Sequence, residues 1–151
     1  MGKKDGKEDL VSKKRNWLKR KSKEYGSLAK LLLWGKRKKP IGFAQFGPIF
    51  EFQTAQIIYQ KNKFTPPAGG WCLTCLALES KYRGRGLATK FLENILRDLK
   101  KRGVKIVDGY PFKKVKSWNQ VSTGPLALYQ KLGFEVIYED ERRAIVRKKL
   151  T

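Results

Sequence analysis

The stretch YRGRGLATKFL, Tyr82–Leu92, decides how the rest of this chain is read. Two glycines stand two residues apart between arginines, and an apolar pattern follows at once. Before it, WCLTCLAL (71–78) is an apolar run of strand length, and ESKYRGRG (79–86) is the turn that ends it. After it, Leu87, Phe91, Leu92, Ile95, Leu96 and Leu99 recur at helical spacing. Lys100, Lys101 and Arg102 fill the last turn and Gly103 is the stop. A glycine loop between a buried strand and a helix start leaves backbone N–H groups unpaired at the positive end of the helix dipole. Glycine removes the side chains that would keep an anion off that backbone, and Arg83 and Arg85 add charge. The loop is not the nucleotide-binding G-x-x-x-x-G-K-[ST], and Thr89 stands where a dinucleotide fold needs its third glycine. On its own it reads equally as a phosphate cradle or as a tight strand-to-helix turn.

Working outward, residues 7–24 place Leu10, Trp17 and Leu18 near one face of a lysine-rich amphipathic helix. LAKLLLW (28–34) and IGFAQFG (41–47) read as two strands of a hairpin across GKRKKP. FEFQTAQIIYQ (50–60) is ambiguous between helix and strand, and KNKFTPPAGG (61–70) is a loop. VKIVDGY (104–110) is a strand, PFKKVKSWNQVSTG (111–124) a polar connection, PLALYQKLG (125–133) a short helix, and FEVIYE (134–139) and RRAIVRKKL (142–150) strands. This order predicts an α/β domain with a mixed sheet. The expected organisation is a basic N-terminal segment with an amphipathic helix, 1–26, and one domain, 27–151, which is an ordinary size for a single core.

Composition narrows the function classes. No stretch approaches the apolar length of a membrane span, and the charged start MGKKDGKEDLVSKK lacks the pattern of a secretory signal, so the expected location is cytoplasmic. The formal net charge is +22, and residues 1–40 hold 15 Lys and Arg against four acids. Such a surface suits anionic partners, nucleic acid or an acidic protein among them, or it is simply a solvated lysine-rich face. Cys72 and Cys75 are spaced C-x-x-C, but on a strand residues three apart point to opposite faces, and no histidine or second pair completes a zinc site. Plain buried cysteines and no metal are expected. With no histidine in the chain, proton transfer falls to carboxylate, tyrosine, cysteine, lysine or water.

Arg83-Gly84-Arg85-Gly86-Leu87-Ala88 resembles the R/Q-x-x-G-x-G/A loop of the GNAT superfamily of N-acetyltransferases, and about 40 residues later ALYQKLGF, Ala127–Phe134, resembles that family's second signature. The resemblance covers roughly residues 28–151. It implies a central mixed sheet splayed at its middle, with acetyl-coenzyme A where the family's fourth and fifth strands part. By position, Leu76, Ala77 and Leu78 would pair with the pantetheine arm. Arg83, Gly84, Arg85, Gly86, Leu87, Ala88 and Thr89 would hold the pyrophosphate, and Tyr129 would stand near the thioester sulfur as general acid. The chemistry implied is direct transfer of the acetyl group to an amine.

In histone-type members a glutamate on the fourth strand is the base, and that position falls at about Cys72. Glu79, Asp108 and Glu51 are the available substitutes, with Glu79 or a water taken as base. The family's first strand and first full helix have no counterpart before Trp17. A shortened member is expected, with part of the acceptor pocket missing or supplied by another subunit of a homodimer. The acceptor groove is expected to draw on Trp17, Phe50, Tyr59, Phe64, Phe112 and Trp118. Positive charge disfavours cationic acceptors and suits a neutral or anionic amine, or an amine on nucleic acid or an acidic protein. The competing reading is a nucleic-acid- or ribosome-associated binding protein that keeps the fold without catalysis.

Overall fold

A computed structural model describes residues 5–114 and 123–151 of this chain, with side chains described from residue 9. Among these residues four helices, α1 (Asp5–Tyr25), α2 (Gln53–Lys61), α3 (Leu87–Lys101) and α4 (Leu126–Lys131), flank six strands: β1 (Ala29–Trp34), β2 (Lys39–Pro48), β3 (Trp71–Leu78), β4 (Ile106–Gly109), β5 (Glu135–Glu139) and β6 (Ala144–Lys149). Among the described residues the strands form one sheet in the order β1-β2-β3-β4-β6-β5, in which only β3 and β4 are parallel. The expected mixed α/β sheet is therefore what the chain forms.

Two cores lie on opposite faces of this sheet. On one, α3 buries Phe91, Leu92, Ile95, Leu96 and Leu99 against Phe46, Leu73, Leu76 and Val107, with Leu128 and Tyr129 of α4 in the same cluster. Each such side chain contributes about 1.5–3 kcal/mol of burial, which makes α3 the anchor of the fold. On the other face, Ala55, Ile58 and Tyr59 of α2 pack with Cys72, Tyr110 and Ile145. The ambiguous 50–60 stretch resolves into a short 3-10 turn, Ile49–Glu51, and then α2. Ala55, Ile58 and Tyr59 recur at three and four, a helical signal that the neighbouring aromatics obscured. α1 docks beside α2, with Trp17 edge-on to Phe52 at 5.7 Å and Lys21 Nζ 3.0 Å from Glu51. The Arg102 guanidinium ties its end to the sheet through the carbonyls of Tyr25 and Ser27.

The alternation expected for the two cysteines fails at one residue. The β2–β3 register passes from Gln45↔Cys75 to Phe46↔Leu73, which leaves Thr74 as an extra residue. This bulge resets the parity of the strand, so Leu73 and Leu76, three apart, share the α3-side core, and Cys72 and Cys75 share the other side. Both are free thiols.

β3 and β4 part company early. Their ladder runs Trp71↔Val107, Cys72↔Asp108 and Leu73↔Gly109 and then stops, while β3 continues to Leu78 with only β2 beside it. The result is a wedge-shaped opening in mid-sheet.

Candidate active site

The opening leads into a pocket of about 640 Å3 lined by Leu76, Ala77, Leu78, the glycine loop, the start of α3, Gly124 and Leu128. Nine of the ten residues expected to hold the cofactor line it: Leu76, Ala77, Leu78, Arg83, Gly84, Gly86, Leu87, Ala88 and Thr89. Gly84 and Gly86 have φ of +76° and +75°, and a Cβ built on either would meet nothing within 4 Å. These glycines are therefore required by backbone conformation, and they leave the space in front of the loop clear. Gly86 begins α3 with no side-chain cap, and the first helical bond is Lys90 N–H to Gly86 carbonyl at 3.2 Å. The N–H groups of Leu87, Ala88 and Thr89 precede it at the positive end of the dipole.

Arg85, the tenth residue, is not in the lining. Its guanidinium lies 6.0 Å from the Trp34 ring centre and 5.7 Å from that of Tyr82, on the outer side of the loop. Arg83 Nε donates to the carbonyl of Leu78 at 3.0 Å, which fastens the loop to the end of β3.

Tyr129 is buried behind the lining, edge-on to Phe134 at 5.1 Å. Its hydroxyl donates to the carbonyl of Thr123 at 2.8 Å. Burial raises the phenol above its ordinary range, and proximity to Cys75 and Cys72 adds to this, so it remains protonated at neutral pH. Its oxygen is 3.6 Å from where a Cβ on the pocket residue Gly124 would lie, so the phenol stands one atom layer from the cavity.

The carboxylates considered as base separate clearly. Glu79 is exposed at the end of β3, 3.6 Å from Lys39 and 4.0 Å from Lys81. Glu51 is taken by Lys21 and by the Tyr25 hydroxyl, at 3.0 and 3.1 Å. Asp108 alone is fully buried, between Tyr59 and Arg147, beside the parting of the strands. Sequence reasoning listed Asp108 but missed Tyr110 and Arg147, because Arg147 reaches Asp108 only through the β4–β6 register that sets them opposite one another.

Of the six aromatic residues expected around the acceptor, the five that are described do not form one groove. Trp17 packs on Phe52, Tyr59 is core, and Phe64 packs on Tyr138 at 5.7 Å. Phe50 is exposed, Phe112 lies under the Arg143 guanidinium at 4.1 Å, and Trp118 is outside the described residues. Burial lowers the Arg143 pKa, and among the described residues its buried Nε has no hydrogen-bond partner.

Among the described residues no group of His, Cys, Asp and Glu could hold a metal ion, and no helix is long and apolar enough to cross a membrane. Comparison with curated proteins finds no match by sequence. Solved structures share the fold. An N-acetyltransferase from Staphylococcus aureus Mu50 superposes with a TM-score of 0.59 at 14% identity over 93% of this chain and 78% of its own. The PaiA N-acetyltransferase from Thermoplasma acidophilum, in complex with coenzyme A, gives 0.55 at 20% over 85% and 65%. A GNAT-like decarboxylase, GphF, in complex with isobutyryl-CoA, gives 0.59 at 14% over 87% and 83%. The profile of the acetyltransferase (GNAT) family matches residues 4–134, and with the splayed sheet and the glycine loop in place the chain belongs to that family and is an enzyme of it.

Proposed function

We propose that this enzyme transfers an acetyl group from acetyl-coenzyme A directly to a primary amine. The observation that carries this reading is the pocket at the parted strands, closed at one end by a glycine loop whose open face coincides with the first turn of α3. A pyrophosphate fits there by charge and by space. Three α3 N–H groups aim at it, no Cβ stands in front, and Arg83 and Arg85 hold the local potential positive. Leu76, Ala77 and Leu78, free of β4, have backbone groups on one side to pair with an extended pantetheine chain.

When bound, acetyl-coenzyme A supplies an activated acyl carbon and a thiolate leaving group. The chain's own part is orientation and charge: it holds that carbon at the wedge, keeps bulk water off it, and places the protonated Tyr129 phenol near the departing sulfur. Tyr129 acts as general acid, passing its proton to the departing sulfur and recovering one from the attacking nitrogen. Glu79, tied to lysines at the surface, is a poor base. The positive surface supports an acceptor that carries a carboxylate or other anion.

Thiol release from acetyl-coenzyme A in the presence of amines tests this. Amine-dependent release that falls about 10²-fold in Tyr129→Phe supports it. Release that no amine stimulates contradicts it.

A further inference from the structure

Hydroxyl, thiol and carboxylate groups form a line on the α2 side of β3 and β4. Tyr59 donates to Asp108 Oδ2 at 2.5 Å, and its oxygen lies 2.8 Å from that of Tyr110. A phenol has one proton to give, and with that of Tyr59 spent on Asp108 the second bond runs from Tyr110 to Tyr59. Arg147 fixes the far end bidentately, Nε to Oδ1 at 2.8 Å and Nη2 to Oδ2 at 3.0 Å. At the near end Tyr110 packs in one buried cluster with Cys72. Among the described residues Asp108 is the one buried charged side chain, and both tyrosines are buried with it.

The line ends where the strands part. Leu73↔Gly109 is the last rung of the parallel ladder, and Tyr110 is the next residue. From the pocket side Tyr129 packs on Gly109, and its phenol lies close enough to Cys72 to feel it. Cys72 occupies about the position of the family's glutamate, and its lateral partner in register is Asp108. The carboxylate absent from β3 thus stands one strand over, joined to the wedge by two phenols.

We infer that Asp108 is the proton acceptor of the transfer, that Tyr59 and Tyr110 relay the proton to it, and that Tyr110 is the group that meets the acceptor amine. This rests on the acetyl-transfer reading above. A proton of the incoming ammonium passes to the Tyr110 oxygen as the Tyr110 proton passes to Tyr59 and the Tyr59 proton to Asp108 Oδ2. The nitrogen keeps the electron pair. That pair forms the C–N bond, the C–S bond breaks with its electrons staying on sulfur, and the sulfur receives a second nitrogen proton by way of Tyr129. Asp108, now neutral and still held by Arg147, returns its proton along the same line to solvent, so one proton is released per turnover. Burial pushes both phenols well above their ordinary range, so they relay as neutral groups. Burial pushes the Cys72 thiol up to about 12, which leaves it a bystander and not a nucleophile.

The test compares wild type, Tyr59→Phe and Tyr110→Phe, each of which removes a single oxygen. The acceptors are pairs of like shape and unlike basicity: ethylamine with 2,2,2-trifluoroethylamine, and phenethylamine with its β,β-difluoro analogue. At mildly alkaline pH, where the assay is run, the fluorinated amines are already neutral and need no base, while their parents are still protonated. The relay requires transfer to the basic amines to fall about 10²-fold or more in both variants, transfer to the fluorinated ones to fall far less, and the stabilisation by acetyl-coenzyme A to stay unchanged. An equal fall for both members of a pair assigns Tyr59 and Tyr110 to structure alone and overturns the relay, as does no fall at all. A wild type that is stabilised by acetyl-coenzyme A yet acetylates none of the four overturns the amine-transfer reading itself, and the relay with it.

Discussion

Gly109 lies against the ring of Tyr129 so closely that a methyl group built on it would sit 2.7 Å from Cε1 and 3.2 Å from Val146 Cγ2. The contact couples the end of the β3–β4 ladder to the residue that stands behind the pocket. Because φ at Gly109 is not positive, the requirement is for space alone. Gly109→Ala therefore overpacks the core and costs about 1–3 kcal/mol, read as a lower urea midpoint at constant m. An unchanged midpoint would show that Tyr129 moves aside freely and is not held in place.

Arg147 neutralises the one fully buried carboxylate described. Arg147→Met leaves Asp108 charged and buried without its cation, an expected loss of about 3 kcal/mol in urea unfolding. The double variant Asp108→Asn/Arg147→Met recovers part of this, because no uncompensated charge remains. A cost for Arg147→Met indistinguishable from that of the double variant would show that the pair is not coupled.

Asp140 organises the β5–β6 turn by accepting the backbone N–H groups of Arg142 and Arg143, each at 2.8 Å. The Arg143 bond, followed by that of Arg142, holds its carboxyl below the usual carboxylate value. With the folded pKa depressed, its contribution is fully present above the unfolded value of 3.8 and is lost as pH falls through the folded one. Asp140→Asn thus lowers the thermal midpoint at neutral pH, and the gap to wild type closes in acid. A gap that persists at pH 2 would place the effect elsewhere.

Much of the fold was legible because it rests on local signals. α3 shows five buried residues at helical spacing, and the loop before it shows glycines that backbone conformation demands. The hairpin β1–β2 was legible from the large–small alternation in IGFAQFG and the turn at GKRKKP. What stayed hidden depends on register. The bulge at Thr74 that puts Cys72 and Cys75 on one side is a property of the β2–β3 pairing, not of β3 alone. Likewise Asp108 lies 49 residues from Tyr59 and 39 from Arg147, and only the folded sheet brings them to one point. The lining of the pocket was readable where it is the contiguous stretch 83–89, and less so where Gly124 and Leu128 complete it from a distant part of the chain.

If the loop after β3 is a phosphate cradle, thermal unfolding with and without acetyl-coenzyme A separates wild type from Gly86→Glu. Ligand at about a hundred times its dissociation constant stabilises by about 2.7 kcal/mol, which moves a domain of this size by several degrees. A side chain at Gly86 enters open space, so the variant folds, with some loss for the left-handed backbone, while its carboxylate occupies the anion site and repels the pyrophosphate. A shift in wild type that vanishes in Gly86→Glu is the predicted result. Equal shifts in the two proteins, or none in wild type, would contradict it.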